Sequence, residues 1–316
     1  MKKLYLLRNP LLFQGEKRIK KNKNYFEGWY FKNNSNDNNI SFIPGISVSD
    51  KDVKAFIQVI TNNSSYYIDY NIDDFVFNHN PFYIKIGNNY FSENNLHIDI
   101  NDSNNNLIIY GDLIYSNNKN IKVNLFNPNI MGPFSYIPFM ECNHALISMK
   151  NTINGKIMIN NEKMEFNDGI GYIEKDWGYS FPKTYIWGQG NNFQKSNASF
   201  MISIADIPFK IFHFKGLICS LIIDNQEFRF ATYNNTKILK YDIYNNLLNI
   251  VLKKGSYCLE IKLKDNNSFK LSAPSKGKMC KNILESVNSK IMVTLKKHNK
   301  IIFQDISKNC GLEIVQ

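Results

Sequence analysis

The sequence predicts an all-β protein of two consecutive antiparallel barrels or sandwiches with few or no helices, and three observations carry that expectation. Short hydrophobic runs recur along the 316 residues, with apolar and polar side chains alternating at the two-residue period of a half-buried strand. Asparagine, aspartate and glycine separate these runs and supply the turns of an antiparallel meander. No run sustains a helical period; only Gly277 to Ser289 hints at one.

Taken in order, residues 1–24 end in EKRIKKNK, a basic lead-in expected to be a solvated arm able to graze a membrane surface. MKKLYLLRNPLLFQG imitates a secretory leader, but Arg8, Asn9 and Pro10 cut its apolar run short and no small-residue cleavage site follows. No other window is long and apolar enough to cross a bilayer as a helix. Strand character begins at YFEGWYFK, where Glu27, Trp29 and Phe31 alternate with Phe26, Gly28 and Tyr30. Two short runs then flank a turn at Ser49 to Asp52, and a meander continues to IKVNLFN. Prolines and glycine in NPNIMGPFSYIP break it, which places an N-terminal β domain over 1–130 and a C-terminal one over 131–316. Beyond the break, HALISMKNTINGKIMINNEKMEF reads as two hairpins turning at Ile153-Asn154-Gly155 and Asn160-Asn161.

Composition narrows the partners. Hydrophobic content of 43% and aromatic content of 14% exclude a disordered chain. A formal net charge of +11 attracts phosphates, whether of nucleic acid or of anionic lipid. No nucleic-acid motif appears, so peripheral contact with an anionic membrane is the favoured form of that attraction. Lysine and asparagine enrichment from an AT-rich genome would produce the same excess without function. The five cysteines are scattered, with no C-x-x-C pair and no histidine at metal-ligand spacing, the pattern of reduced thiols in a cytoplasmic protein with no metal site.

Chemistry concentrates between Gly169 and Phe193. On a strand, Tyr172, Glu174 and Asp176 share one face and Ile173, Lys175 and Trp177 the other. After a loop, Tyr185, Trp187, Gln189, Asn191 and Phe193 share a face. Rings alternating with amides suit the wall of a cavity that holds and orients an apolar guest. They suit equally a packed core whose indoles and amides find backbone partners.

YIEKDWGYSFPKTYIWGQGNNF resembles the central signature of the tocopherol cyclase family. YFEGWYFK, MGPFSYIPFMECNHALISM, KLSAPSKGKM, ILES and the closing GLEIV resemble further elements of that family, in order along nearly the whole chain. The resemblance implies a two-domain, lipocalin-like fold. It also implies a cofactor-free reaction in which a protonated acid attacks the alkene of a prenylated quinol or other isoprenoid lipophile and an oxygen captures the cation. Such a reaction needs a carboxyl kept neutral by burial or a neighbouring charge, ring faces beside the cation, and a dry cavity.

Glu27, Glu141, His144, Glu174 and Asp176 are the candidates for the acid and its partners. Asp176 stands where plant members often carry asparagine, which favours an orienting role. Glu141 and His144, three apart, meet only if a bulge reunites them. Tyr185, Trp187, Gln189 and Asn191 are the expected pocket wall, followed by Trp29, Tyr30 and Trp177, with Phe193 as core. A non-catalytic carrier of lipophiles, and a β protein with a filled pocket that binds through its basic surface, are the competing readings.

Overall fold

A computed structural model describes residues 2–35, 38–49, 52–138, 140–209, 212–244 and 247–316. Two large antiparallel sheets dominate it, as the two-residue periodicity requires. The first runs, in spatial order, through strands Ser65–Asn71, Asp52–Thr61, Asn38–Ser49, Tyr25–Ser35, Glu162–Gly178, Cys142–Ile159, Leu107–Lys119, Asn95–Asp102, Asn89–Phe91, Phe82–Ile86 and Phe75–His79. Its two edge strands are joined by one short 3-10 turn, Ile72–Asp74, and Asn89 Nδ2 donates to Tyr70 Oη at 3.2 Å, so the sheet curls nearly into a barrel. Trp29, Phe31, Phe42, Ile173 and Trp177 fill its interior.

The second sheet carries Gln226–Ala231, Phe212–Ile223, Ala198–Phe209, Tyr185–Gly190, Lys300–Val315, Lys278–Lys297, Tyr257–Lys264, Leu247–Lys254 and Lys237–Tyr244. Phe269–Ser275 adds to the Lys278–Lys297 strand off this path. Gly277 to Ser289 is therefore not helical. Register shifts at Ser286/Ser289 and Ser289/Ile291 blur its alternation and produce the false helical hint.

Hydrogen bonding does not divide the chain at 130/131. Strands Cys142–Ile159 and Glu162–Gly178 pair with the N-terminal strands, and the chain passes to the second sheet only between Gly178 and Tyr185, inside the central motif. The expected turn at Ile153 to Gly155 is instead a bulge within one long strand. Gly155 has φ +140° there, and any Cβ would stand 2.1 Å from the Asp112 carbonyl oxygen, so only glycine fits. Asn160 and Asn161, both at positive φ, make the real turn. Ser49 and Asp52 pair across their hairpin, while positions 50–51 of that turn lie outside the described residues.

The basic end of the lead-in, positions 16–23, is solvated; the part before it packs. Short helices Lys2–Arg8 and Glu16–Lys20 flank a segment in which Leu11, Leu12 and Phe13 are buried against the first sheet. Lys175 points into that barrel and donates to the Pro10 and Leu12 carbonyls at 2.7 and 2.6 Å. Three adjacent apolar residues outweigh the basic run that follows them.

The inner faces of the two sheets meet over Tyr30, Tyr172, Met149, Trp187 and Met201. Gln58 and Ser272 clasp them together: Gln58 Nε2 donates to the Ser272 carbonyl at 3.0 Å and Ser272 N donates to Gln58 Oε1 at 2.9 Å. Among the described residues, no helix is long and apolar enough to cross a membrane.

Candidate active site

The site lies at the seam where the chain changes sheets. Period-two alternation sends Tyr172, Glu174 and Asp176 out of the first sheet towards the second, while Ile173, Lys175 and Trp177 turn into the barrel, as expected. His144 is the cross-strand partner of Asp176, so the ladder itself delivers the imidazole between the two acids. Its Nδ1 lies 2.9 Å from Asp176 Oδ1. Its Nε2 lies 3.3 Å from Glu174 Oε2 without the alignment of a hydrogen bond.

Burial opposes a charge on His144, but Asp176 and Glu174 outweigh it and push its pKa up to about 10. The ring is therefore imidazolium at neutral pH. Tyr172 Oη donates to Glu174 Oε2 at 2.5 Å and Trp187 Nε1 donates to the same oxygen at 3.2 Å. Both donors converge on one Glu174 oxygen, which therefore acts as an acceptor.

Around this cluster is a cavity of about 120 Å³. Glu174, Asp176, His144 and Cys142 form one wall. Tyr185, Trp187, Ser203, Leu217 and Glu313 of the second sheet form the opposite one. Met131, Phe134, Met140 and Phe181 cover it from the connecting loops, and Phe134 is anchored by its ring contacts with Phe214 and Tyr233. The lining is mostly apolar with a few converging polar groups, the character of a small-molecule site. His144, Glu174 and Asp176 each offer a ligand atom within 4.8 Å of the others, which makes them the group able to take a metal ion among the described residues. As arranged, the histidine's own charge answers both carboxylates.

The other expected site residues separate into distinct places. Glu141 precedes the strand and lines a neighbouring surface depression with Tyr179 and Pro138. No bulge brings it to His144, and burial raises its pKa only against the pull of Lys183, His213 and Lys281. Glu27 is locked in the barrel, 2.5 Å from Lys175 Nζ, with Tyr25 Oη and Gln14 N also donating to it. Trp29 and Trp177 belong to that barrel core: Trp29 Nε1 donates to the Leu11 carbonyl at 2.8 Å, and the Lys175 ammonium sits 4.8 and 5.1 Å from the two ring centroids. Parity explains this, because both indoles occupy the inward face.

Gln189 and Asn191 are buried beyond the end of the cavity. Lys32 Nζ approaches Gln189 Oε1 at 3.4 Å, and Asn191 Nδ2 donates to the Gly171 carbonyl at 2.8 Å. Tyr185 and Trp187 line the cavity, whereas these two amides do not. Tyr30 stands behind Trp187, edge-on at 5.5 Å, and Phe193 is core of the second sheet.

Two functional candidates escaped the sequence reading, Glu285 and Glu313. They are cross-strand partners, and both are buried. Tyr30 Oη donates to Glu285 and Tyr185 Oη to Glu313, each at 2.6 Å. Burial keeps the Glu285 carboxyl up at about 7, and burial together with Glu285 keeps that of Glu313 well above the usual carboxylate range. Their only signal was that they sit in the ILES and GLEIV elements.

Gly311, opposite Gln189 on the neighbouring strand, makes room for the indole. A Cβ there would stand 2.5 Å from Trp187 Cη2. Gly311→Ala is expected to displace the ring and cost about 1–3 kcal/mol, read by urea unfolding together with a changed tryptophan emission spectrum. Unaltered emission and stability would show that the indole is not tightly seated.

Residues 122–315 match the family model described as tocopherol cyclase-like. Comparison with curated proteins found no match. Among solved structures, CghA with Sch210972 superposes with a TM-score of 0.57 at 6% identity, covering 92% of this chain and 88% of that one. Kievitone hydratase from Nectria haematococca superposes with a TM-score of 0.53 at 13% identity, covering 92% and 89%. At these identities the likeness is one of fold.

Proposed function

Since the chain belongs to the tocopherol cyclase-like family, we propose that it is a cyclase- or hydratase-type enzyme that adds a proton to the alkene of a prenylated quinol or related isoprenoid lipophile, without a cofactor. An oxygen then captures the tertiary cation: the substrate's own hydroxyl gives cyclisation, and water gives hydration. The observation that carries this reading is the Tyr172–Glu174–His144–Asp176 network facing Trp187 and Tyr185 across one mostly apolar cavity. The Glu174 oxygens and the two ring faces stabilise positive charge developing between them. Imidazolium His144, held by Asp176, keeps Glu174 oriented and placed to accept the proton shed by the attacking oxygen. The occurrence of a hydratase on the same fold supports the hydration branch.

Incubation with prenylated quinols and linear isoprenoids in deuterated water tests the proposal. Product with carbon-bound deuterium is expected. A bound lipophile recovered unchanged, with no deuterium across the panel, would instead identify a carrier, for which the apolar lining is equally suited.

A further inference from the structure

We infer that Glu313, paired through the strand ladder with Glu285, is the residue that delivers the proton to the alkene; this rests on the reaction proposed above. Three geometric facts single it out. Glu313 lines the cavity, on the wall opposite Glu174 and His144. Its hydrogen-bond partner in the cavity wall, Tyr185 Oη, occupies one oxygen as a donor at 2.6 Å, which fixes the carboxyl plane. Its cross-strand neighbour is a second buried carboxyl, Glu285, of which one oxygen accepts from Tyr30 while the other, Oε2, is buried with no donor besides what Glu313 can offer.

Two buried carboxyls at adjacent ladder positions cannot both ionise, so the pair holds a proton at neutral pH. Against the Tyr185 hydrogen bond, which lowers Glu313, the charges around the pair favour the Glu313 side. Glu285, Glu174 and Asp176 all press negative charge on Glu313, whereas Lys32 draws Glu285 towards ionisation. Glu174, by contrast, accepts hydrogen bonds from Tyr172 and Trp187 and lies beside His144, so its carboxyl is placed as an acceptor. The cavity thus has a proton donor on one wall and a hydrogen-bond acceptor on the other, the division of labour that acid addition followed by oxygen capture requires.

The step balances. The Glu313 O–H proton bonds to the less substituted alkene carbon through the π electron pair, leaving a tertiary cation and a Glu313 carboxylate. The oxygen nucleophile donates a lone pair to the cation and loses its proton to Glu174. As product leaves, Glu174 releases that proton and Glu313 takes one from solvent.

The test uses the intact protein and two readouts. Infrared spectroscopy in water and deuterated water is expected to show a protonated carboxyl at pH 8, above the value of about 7 of Glu285, that disappears in Glu313→Gln. Its absence from the unsubstituted protein, or its persistence in Glu313→Gln, would overturn the inference whatever the substrate. Glu313→Gln is also expected to lose at least 100-fold in turnover and in deuterium incorporation while still retaining the lipophile by native mass spectrometry. Wild-type turnover in that variant would overturn the donor role. Glu285→Gln, a positioning variant, is expected to move the alkaline limb of the pH profile of turnover to lower pH, because the neighbouring negative charge that holds the Glu313 proton is gone; an unmoved limb counts against the pair. If the infrared band is present and assigned but no substrate is turned over by the unsubstituted protein, the proposed reaction fails and the donor role fails with it, while the paired carboxyls stand.

Discussion

Lys175→Met is expected to destabilise the protein by about 3–5 kcal/mol, the cost of leaving one member of a buried ion pair uncompensated. Both side chains are wholly buried and their charged atoms lie 2.5 Å apart. The ammonium also holds the Pro10 and Leu12 carbonyls and lies against two indoles. Methionine fills the volume but supplies no donor, so Glu27 is left facing Tyr25 and the Gln14 amide alone. Urea unfolding measures the loss. The double variant Glu27→Gln/Lys175→Met should recover a large part of it, because removing both charges also removes the desolvation each one suffers. A single variant within 1 kcal/mol of the parent would mean that the pair is not sealed from water, and the packed lead-in would be in doubt as well.

The second large effect is a fall in stability as pH rises from 5 to 8, the reverse of the acid lability common among proteins with salt-bridged carboxylates. The sign follows from which state binds more protons. Glu285 has its carboxyl raised to about 7 in the folded chain and Glu313 has its own raised further; a raised folded pKa adds stability below the unfolded value and loses it as pH climbs through the folded one. His144, raised to about 10, adds a loss in the same direction that begins near its unfolded value of 6.5. Lys32, lowered to about 8, opposes these only above that pH, since a lowered amine gains stability between its folded and unfolded values. For Glu285 alone the change between pH 5.5 and pH 8 is about 2 kcal/mol. Urea titrations at pH 5.5 and pH 8 should show it, and Glu285→Gln should flatten it. Equal stability at the two pH values in the parent would show that the carboxyls are not held neutral.

The fold was legible because a strand advertises itself locally. Side-chain parity placed Tyr172, Glu174 and Asp176 on one face and Lys175 on the other with no knowledge of the partners, and the structure agrees. What parity cannot convey is register. His144 meets Asp176 because residues 32 apart fall opposite one another in a ladder that shifts between Leu146 and Ser148. Glu285 and Glu313 face each other across a pair of strands carrying three such shifts, each of which moves every later residue to a new neighbour. The extent of the cavity was also beyond local reading: Gln189 and Asn191 share the strand face of Trp187, yet the space ends at the indole and the amides become core. In the lead-in the basic run is the more conspicuous feature, and Leu11 to Phe13 the deciding one.

A consequence follows from the crossing of the chain between Gly178 and Tyr185. The anionic wall with His144 rides on one sheet and the aromatic wall with Glu313 on the other, so the gap a guest must fit is the spacing of two rigid slabs. That spacing is fastened outside the cavity lining, at clasps such as Gln58 with Ser272. Substitutions at that fastening would retune which guests are admitted by sliding one slab against the other, with every acid and ring left in place.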